Sequence, residues 1–294
     1  MTDDQCCPYR EAQQLESLET FSKHMNLGLQ DRIAFVAGAS GGLGLAVAIE
    51  LAREGCRVAI CSREEARIAE AANQVAQEAG VAPARVLPVV CDVTDEAQIE
   101  AAIRRTVDHF GSLHILVTNA GGPPTGLVDD FDADRWRMGL ELNLMSTINL
   151  CRHALPALRR AAAEDGHARI LMITSMAAKQ PVPNLYLSNT ARAGVQGFAK
   201  TLSEEVGPTG ITVNTILPGF TRTDRLKDFI KEIQEHSDKT RAEIEAGWAA
   251  GNALKRIGEP DEFAAAAAFL VSARAGYVTG TAFVIDGGHV KHLL

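Results

Sequence analysis

The chain has no run of 18 or more apolar residues, so no segment reads as a transmembrane helix. It has no excess of positive charge. The 29 Lys and Arg residues stand against 37 Asp and Glu, for a formal net charge of −8. That balance argues against a nucleic-acid partner, because an acidic surface repels phosphates. The six cysteines (Cys6, Cys7, Cys56, Cys61, Cys91 and Cys151) form no C-x-x-C pair and no zinc-spaced cluster with histidine. Reduced thiols are expected, and neither a disulfide framework nor a metal site. His289 and His292, near the end of the chain, are expected to be solvated. The first residues lack the basic-then-apolar layout of a signal peptide, so a cytoplasmic location is the expectation. Internal repeats and low-complexity linkers are missing as well. The run Ala264–Ala268 reads as a helix packed closely on a sheet.

What is present is ordinary in amount and regular in order. The 294 residues are 46% apolar and 22% charged, enough for one large α/β domain or two small ones. Apolar strand-like runs occur at 32–37, 57–61, 86–91, 113–118, 169–174, 211–217 and 282–285. Helical stretches rich in Ala and Leu lie between them, as at Glu64–Ala79, Asp95–Phe110, Asp134–Ala163, Ser188–Val206 and Asp261–Ser272. Unbroken alternation of this kind implies a parallel sheet covered on both faces. The expected fold class is therefore α/β: a Rossmann-type, doubly wound, mostly parallel seven-stranded sheet in one domain, residues 29–294. Residues 1–28 form an N-terminal extension, in which Leu15, Leu18, Phe21 and Met25 have helical spacing. Residues 224–258 break the rhythm with dense charge. Ligands in such sheets sit outside the C-terminal strand ends, so this segment is placed to act as a lid.

The most informative stretch is Arg32–Gly44. The apolar run Ile33–Ala37 leads into glycines at 38, 41, 42 and 44, and then into the helix-forming segment Leu43–Ala52. A strand, a glycine turn and a helix make a phosphate cradle. The turn lets backbone approach a pyrophosphate, and the helix N-terminus aims free N–H groups at it. The spacing of Gly38, Gly42 and Gly44 is G-x-x-x-G-x-G, not the G-x-G-x-x-G of the general dinucleotide fingerprint.

In dinucleotide sites an acidic residue about 20 residues past the loop takes the ribose 2′-hydroxyl, whereas an Arg suits a 2′-phosphate. The second strand here ends in Cys61-Ser62-Arg63, with no acid at that point. A guanidinium grips phosphate bidentately, so Ser62 and Arg63 favour NADP(H) over NAD(H). Ser40 in the loop is placed to add a hydrogen bond.

With these residues in view, the chain resembles the short-chain dehydrogenase/reductase family, of the kind that includes 3-oxoacyl-acyl-carrier-protein reductases, over about residues 30–288. Ala37–Gly44, including Leu43, is similar to the family's T-G-x-x-x-G-x-G loop with Ala in place of Thr. Cys91-Asp92-Val93 resembles the segment whose Asp binds adenine. Thr118-Asn119-Ala120-Gly121 resembles the N-N-A-G segment after the fourth strand. Asn143 matches the helix Asn of the family's catalytic tetrad, and Ser175 in Ile173-Thr174-Ser175 matches its catalytic Ser. Pro218-Gly219-Phe220-Thr221-Arg222-Thr223 resembles P-G-x-x-x-T, which holds the nicotinamide carboxamide. Thr279-Gly280 and Asp286-Gly287-Gly288 match the C-terminal pattern. The resemblance implies a small-molecule carbonyl or alcohol substrate. It also implies a homotetramer or homodimer assembled through helices at about 134–163 and 188–206.

One motif departs from the family. The family's acid/base centre is Y-x-x-x-K. The downstream run Ala193–Leu202 fixes the register and places Ser188 at the Tyr position and Arg192 at the Lys position. Ser188 is 13 residues after Ser175, the family's usual gap. Shifting the register to use Tyr186 puts Thr190 where Lys belongs. Hydride transfer at a carbonyl carbon needs a proton moved at the oxygen. A Tyr with a pKa of about 10 is brought toward neutrality by a neighbouring cation. Ser is a far weaker acid, and Arg does not give up its proton. Arg192 still suits a hydrogen bond to the nicotinamide ribose, and it shares a helix face with Ser188 at i and i+4. Three readings stay open. The chain is a working oxidoreductase with a reassigned donor (Tyr186, Lys179 or a water near Ser175), a non-redox enzyme on the same scaffold, or a catalytically silent NADP(H)-binding protein. Tyr186 lies about 200° around a helix from Ser188 if both are helical. In the Pro181–Pro183 loop instead, it would be free to turn inward.

Overall fold

The computed structural model describes residues 26–235 and 237–293. The N-terminal helix expected at Leu15–Met25 lies outside the described residues, as do Cys6 and Cys7. Seven strands are present among the described residues: β1 (Ile33–Val36), β2 (Arg57–Ser62), β3 (Val86–Val90), β4 (Ile115–Thr118), β5 (Ala168–Ile173), β6 (Ile211–Pro218) and β7 (Ala282–Ile285). They pair in the order β3-β2-β1-β4-β5-β6-β7, every pair parallel. The order reverses between β1 and β4. A crevice opens at such a switch point, at the C-terminal strand ends.

The strands are apolar throughout because helices cover both faces. Alternate residues point to opposite sides. Ala34, Val36, Val58 and Ile60 join one core with α1 (Gly42–Arg53), α2 (Glu65–Ala79) and α9 (Pro260–Val271). Ile33, Phe35, Ala59 and Cys61 join the other with α3 (Glu96–Phe110), α5 (Ser146–Asp165) and α6 (Tyr186–Val206). Each large side chain so buried contributes about 1.5–3 kcal/mol. The alanine run is helical as expected, with Ala264, Ala267 and Ala268 buried in the α1 side of the core. Cys56, Cys61, Cys91 and Cys151 are free, buried thiols, and burial pushes Cys56 up to about 12.

Two expectations about helices need correction. The single helix expected over Asp134–Ala163 is three pieces. They are α4 (Ala133–Leu140), a π-helical turn (Glu141–Met145) and α5. The wide turn carries Asn143, which is fully buried, and such turns concentrate at functional positions. The helix expected to start at Ser188 starts at Tyr186. The charged excursion after β6 folds as α7 (Asp224–Gln234) and α8 (Arg241–Gly251). Leu226, Ile230, Ile244 and Ile257 form a small core of their own there, with Phe220 and Trp248 packed against it.

Candidate active site

The glycine loop joins β1 to α1. Gly38 and Gly42 both have φ of +58°, a left-handed backbone that favours glycine. A Cβ on Gly44 would run into the Gly38 carbonyl oxygen, so only glycine lets α1 begin this close to the loop. Asn119 at the end of β4 braces the loop by donating from Nδ2 to the Gly38 carbonyl at 2.9 Å. Gly41 and Gly121 face open space on either side of the crevice. Thr223, the N-cap of α7, roofs it: its side chain lies 3.7 Å from where a Cβ on Gly42 would sit. Gly219 donates to the Ile285 carbonyl at 2.9 Å, and a Cβ there would meet Asp286 at 2.6 Å. Pro218 and Gly219 are thereby fixed against the end of β7. The crevice walls are bare backbone from three strand ends, which fits a pyrophosphate and its flanking riboses.

The remaining cofactor candidates occupy the same edge of the sheet. Ser62 ends β2, its hydroxyl donating to the Glu64 carbonyl at 3.5 Å. Arg63 follows it, exposed and with no ion pair among the described residues. Asp92 uses Oδ1 to accept from the Thr94 N–H and hydroxyl at 3.0 and 2.8 Å, and Val93 is buried beside it. Ser40 is half-buried on the loop, and Leu43 packs against the core from the first turn of α1.

The catalytic candidates gather past the end of β5. Ser175 is half-buried, and its Oγ accepts from the Ala177 N–H at 3.1 Å. Asn143 donates from Nδ2 to the Gly121 carbonyl at 2.7 Å, tying the π turn to the β4 loop, while its Oδ1 is buried without a partner. Ser188 and Arg192 lie one turn apart on α6, both buried. Arg192 donates from Nη1 to the Ile173 carbonyl at 2.8 Å, but its Nε is buried and unpartnered. It forms no ion pair among the described residues, and burial pulls its guanidinium down to about 10. Tyr186 is not part of this cluster. It is the first residue of α6, not a loop residue turned inward, and is 43% exposed. Lys179 is half-buried just after the short turn that follows Ser175.

Several contacts gave no signal in the sequence. Arg225 on α7 donates to the Pro123 carbonyl at 3.4 Å and pairs with Glu232 at 2.9 Å. Thr125 donates to the same Glu232 at 3.0 Å. α7 is thus tied to the loop after β4, across the mouth of the crevice. His289 is not simply solvated. Its ring packs edge-on against Phe220 with centroids 5.4 Å apart, and Phe220 stacks on Trp248 at 4.5 Å. Lys291 N–H donates to Gln180 Oε1 at 3.0 Å, which straps the C-terminal tail to the loop after Ser175. Apart from Arg225–Glu232 within α7, these pairs are remote in sequence, and they join residue types that are common on surfaces.

Residues 38–290 match the family model described as enoyl-acyl-carrier-protein reductase. The chain is 34% identical to the 3-oxoacyl-acyl-carrier-protein reductase of Escherichia coli, over 89% of this chain and 98% of that one. It belongs to the short-chain dehydrogenase/reductase family. Among solved structures it is similar to the L-sorbose reductase of Gluconobacter frateurii complexed with NADPH and L-sorbose. The TM-score is 0.83 at 32% identity, covering 92% and 100% of the two chains. It is also similar to a short-chain oxidoreductase of Pseudomonas aeruginosa described as containing an atypical catalytic center. There the TM-score is 0.80 at 31% identity, covering 90% and 99%. The parallel seven-stranded sheet with its covering helices is the Rossmann-type fold that the chain shares with these structures.

Proposed function

We propose that the protein is an NADP(H)-dependent oxidoreductase of a small carbonyl or alcohol substrate whose proton does not come from a tyrosine. The observation that carries the reading is the buried turn of α6. Ser188 and Arg192 are buried, Arg192 donating to the Ile173 carbonyl at the end of β5, while Tyr186, at the same end of the helix, is exposed. Gly38, Gly42, Gly44, Gly121, Asn119, Pro218, Gly219 and Thr223 would hold the dinucleotide. Asp92 and Val93 would line its adenine, and Ser62 with the exposed Arg63 would take the 2′-phosphate. Bound NADPH supplies a hydride. The chain's own work is to polarise the substrate oxygen with Ser175, to seat the ring with Asn143 and Arg192 bracing the floor, and to exclude bulk water under α7 and α8. Water held at the Ser175 and Ser188 hydroxyls serves as the proton source in place of Tyr186 or Lys179. The sorbose reductase, bound to NADPH and a sugar, supports the cofactor and the substrate scale.

Arg192 favours a second reading, because a guanidinium does not relay protons. On that reading the protein binds NADP(H) and turns nothing over. Fluorescence titration with NADPH and NADH, followed by turnover on a panel of ketones and alcohols, separates the two. Tight NADPH binding with turnover is expected, and binding without turnover selects the silent protein. Activity should survive Tyr186→Phe and fall at least tenfold in Ser175→Ala. Loss of activity in Tyr186→Phe would make Tyr186 the donor. The family resemblance also points to a homodimer or homotetramer. Exposed Met138 and Met145 on α4 and the π turn are consistent with that surface, and sedimentation analysis tests it.

A further inference from the structure

The excursion after β6 has a core of its own. Leu226 and Ile230 of α7, Ile244 of α8 and Ile257 pack together, with Phe220, Ile233 and Trp248 against them. Trp248 stacks on Phe220 and on Phe229, with ring centroids at 4.5 and 5.4 Å. The two ends of the excursion are clasped at its base. Gly258 N–H donates to the Phe220 carbonyl at 3.0 Å, and Arg222 N–H donates to the Gly258 carbonyl at 2.9 Å. A body with a separate core and a narrow base turns as one piece about that base, as hinged domains do.

The far side of this body meets the other wall of the crevice differently. Its apolar core takes in no residue of the loop after β4. The contacts there are polar. Thr125 donates from Oγ1 to Glu232 Oε2 at 3.0 Å, and Arg225 donates from Nη2 to the Pro123 carbonyl at 3.4 Å. Glu232 Oε1 also accepts from Arg225 Nη1 at 2.9 Å, which joins both contacts in one network. The guanidinium lies against Gly122, where a Cβ would stand 2.8 Å from its Nε. Two residues earlier, Thr223 lies over Gly42. The start of α7 thus reaches from the glycine loop to the β4 loop. Arg225 and Glu232 are both partly exposed. Such links are weak and break without parting an apolar interface.

We propose that Thr125, Arg225 and Glu232 are the latch of a gate. The α7–α8 body opens as a unit, and the latch sets how fast the dinucleotide enters and leaves the crevice. This rests on the reading above that the crevice holds NADP(H). The three are positioning residues, and none of them is among the groups assigned to the cofactor. Gly122 belongs to the latch because its bare backbone is the surface on which the guanidinium lies. Release of a bound molecule from under such a roof is often the slow step of a turnover.

Stopped-flow fluorescence tests this without needing turnover. NADPH is mixed with enzyme to read its binding rate, and NADPH-saturated enzyme is mixed with excess NADP⁺ to read its release. A roof must lift for entry as well as exit, so loosening it raises both rates and moves Kd less. Thr125→Val and Arg225→Met should each raise both rates at least about fivefold, within the worth of a hydrogen bond to a charged group. Thr125→Ser, which keeps the hydroxyl, should stay near wild type. Gly122→Ala should act in the same direction as Arg225→Met, its methyl displacing a flexible side chain. The double variant Thr125→Val with Arg225→Met should gain less than the product of the two, because both act through Glu232. Circular dichroism verifies that each variant is folded. Wild-type rates in either Thr125→Val or Arg225→Met overturn the latch and leave the cofactor reading standing. Faster release with unchanged binding also overturns it, because the side chains would then be holding the cofactor directly. A wild-type protein that binds no NADPH overturns both readings.

Discussion

Arg63 and Arg192 are chemically the same side chain in opposite circumstances. Arg63 is exposed at the end of β2 and forms no ion pair among the described residues, so its value lies in what it can bind. Arg63→Ala should weaken NADPH by about 10- to 100-fold, the worth of a charge-assisted hydrogen bond or two. NADH should be nearly unaffected, and isothermal titration with the two cofactors checks the ratio. Arg192 is buried, and its charge costs stability where it sits. Arg192→Met should leave the folded state as stable or up to about 4 kcal/mol more stable, as when buried ionic groups give way to apolar ones. A functional role predicts that gain in denaturant melts alongside a loss of activity. If Arg192 were needed mainly to anchor the Ile173 carbonyl, the same variant would be destabilised. The motif spacing put Ser188 at the Tyr position and Arg192 at the Lys position of the family pattern. Their burial and the missing counter-ion were not legible there, because both depend on what α6 packs against.

The elements follow the sequence closely wherever an apolar pattern is backed by burial on the sheet. All seven strands lie where apolar runs placed them, to within a residue or two at the ends. The misses fall where local pattern and tertiary demand diverge. The π turn at Glu141–Met145 has the composition of any helix, and from it Asn143 reaches the Gly121 carbonyl, a partner 22 residues away that local pattern does not reveal. α9 shows the opposite case, in which small size is the message. Its buried alanines lie in one core with Val47, Ala48 and Leu51 of α1, where larger side chains would not fit. Ala267→Leu should cost about 1–3 kcal/mol through overpacking. Ala265→Leu, one position pair away on the exposed face, should be close to neutral. Urea melts of both variants make the comparison, and equal effects would refute the close packing of α1 and α9.

At the scale of the whole molecule, the two ends of the sheet do different work. The C-terminal end is open and carries bare glycines. The N-terminal end is sealed by His114, which accepts from the Ile33 N–H at 3.1 Å and donates to Asp165 at 2.6 Å, and by buried His167. Burial, reinforced by Arg169, pulls the His167 imidazole from 6.5 to about 3, and burial also lowers His114. The sign follows from proton binding. Near pH 6.5 and below, the unfolded chain protonates these rings while the folded one does not, so acid favours unfolding. The contribution is complete above about pH 6.5 and is lost as pH falls toward about 3. The Asp165 carboxyl, held below its usual range by its hydrogen bond to His114, adds in the same direction. Unfolding free energy measured against pH should decline through this window, less steeply in His167→Gln. An unchanged slope in that variant would remove His167 from the account.

The sequence by itself determined the sheet, its covering helices and the glycine cradle. Those depend on period, on apolar runs and on the backbone freedom of Gly38 and Gly42, all of which are local. Register with the family pattern also brought Ser175, Asn143, Ser188 and Arg192 to one site on paper. Only the tertiary structure decided that Tyr186 is exposed, that Arg192 has no counter-charge among the described residues, that α7 is tied to the loop after β4, and that the C-terminal tail is tied to the loop after Ser175. Burial and electrostatic isolation are properties of everything packed around a residue, and no stretch of chain contains its own surroundings.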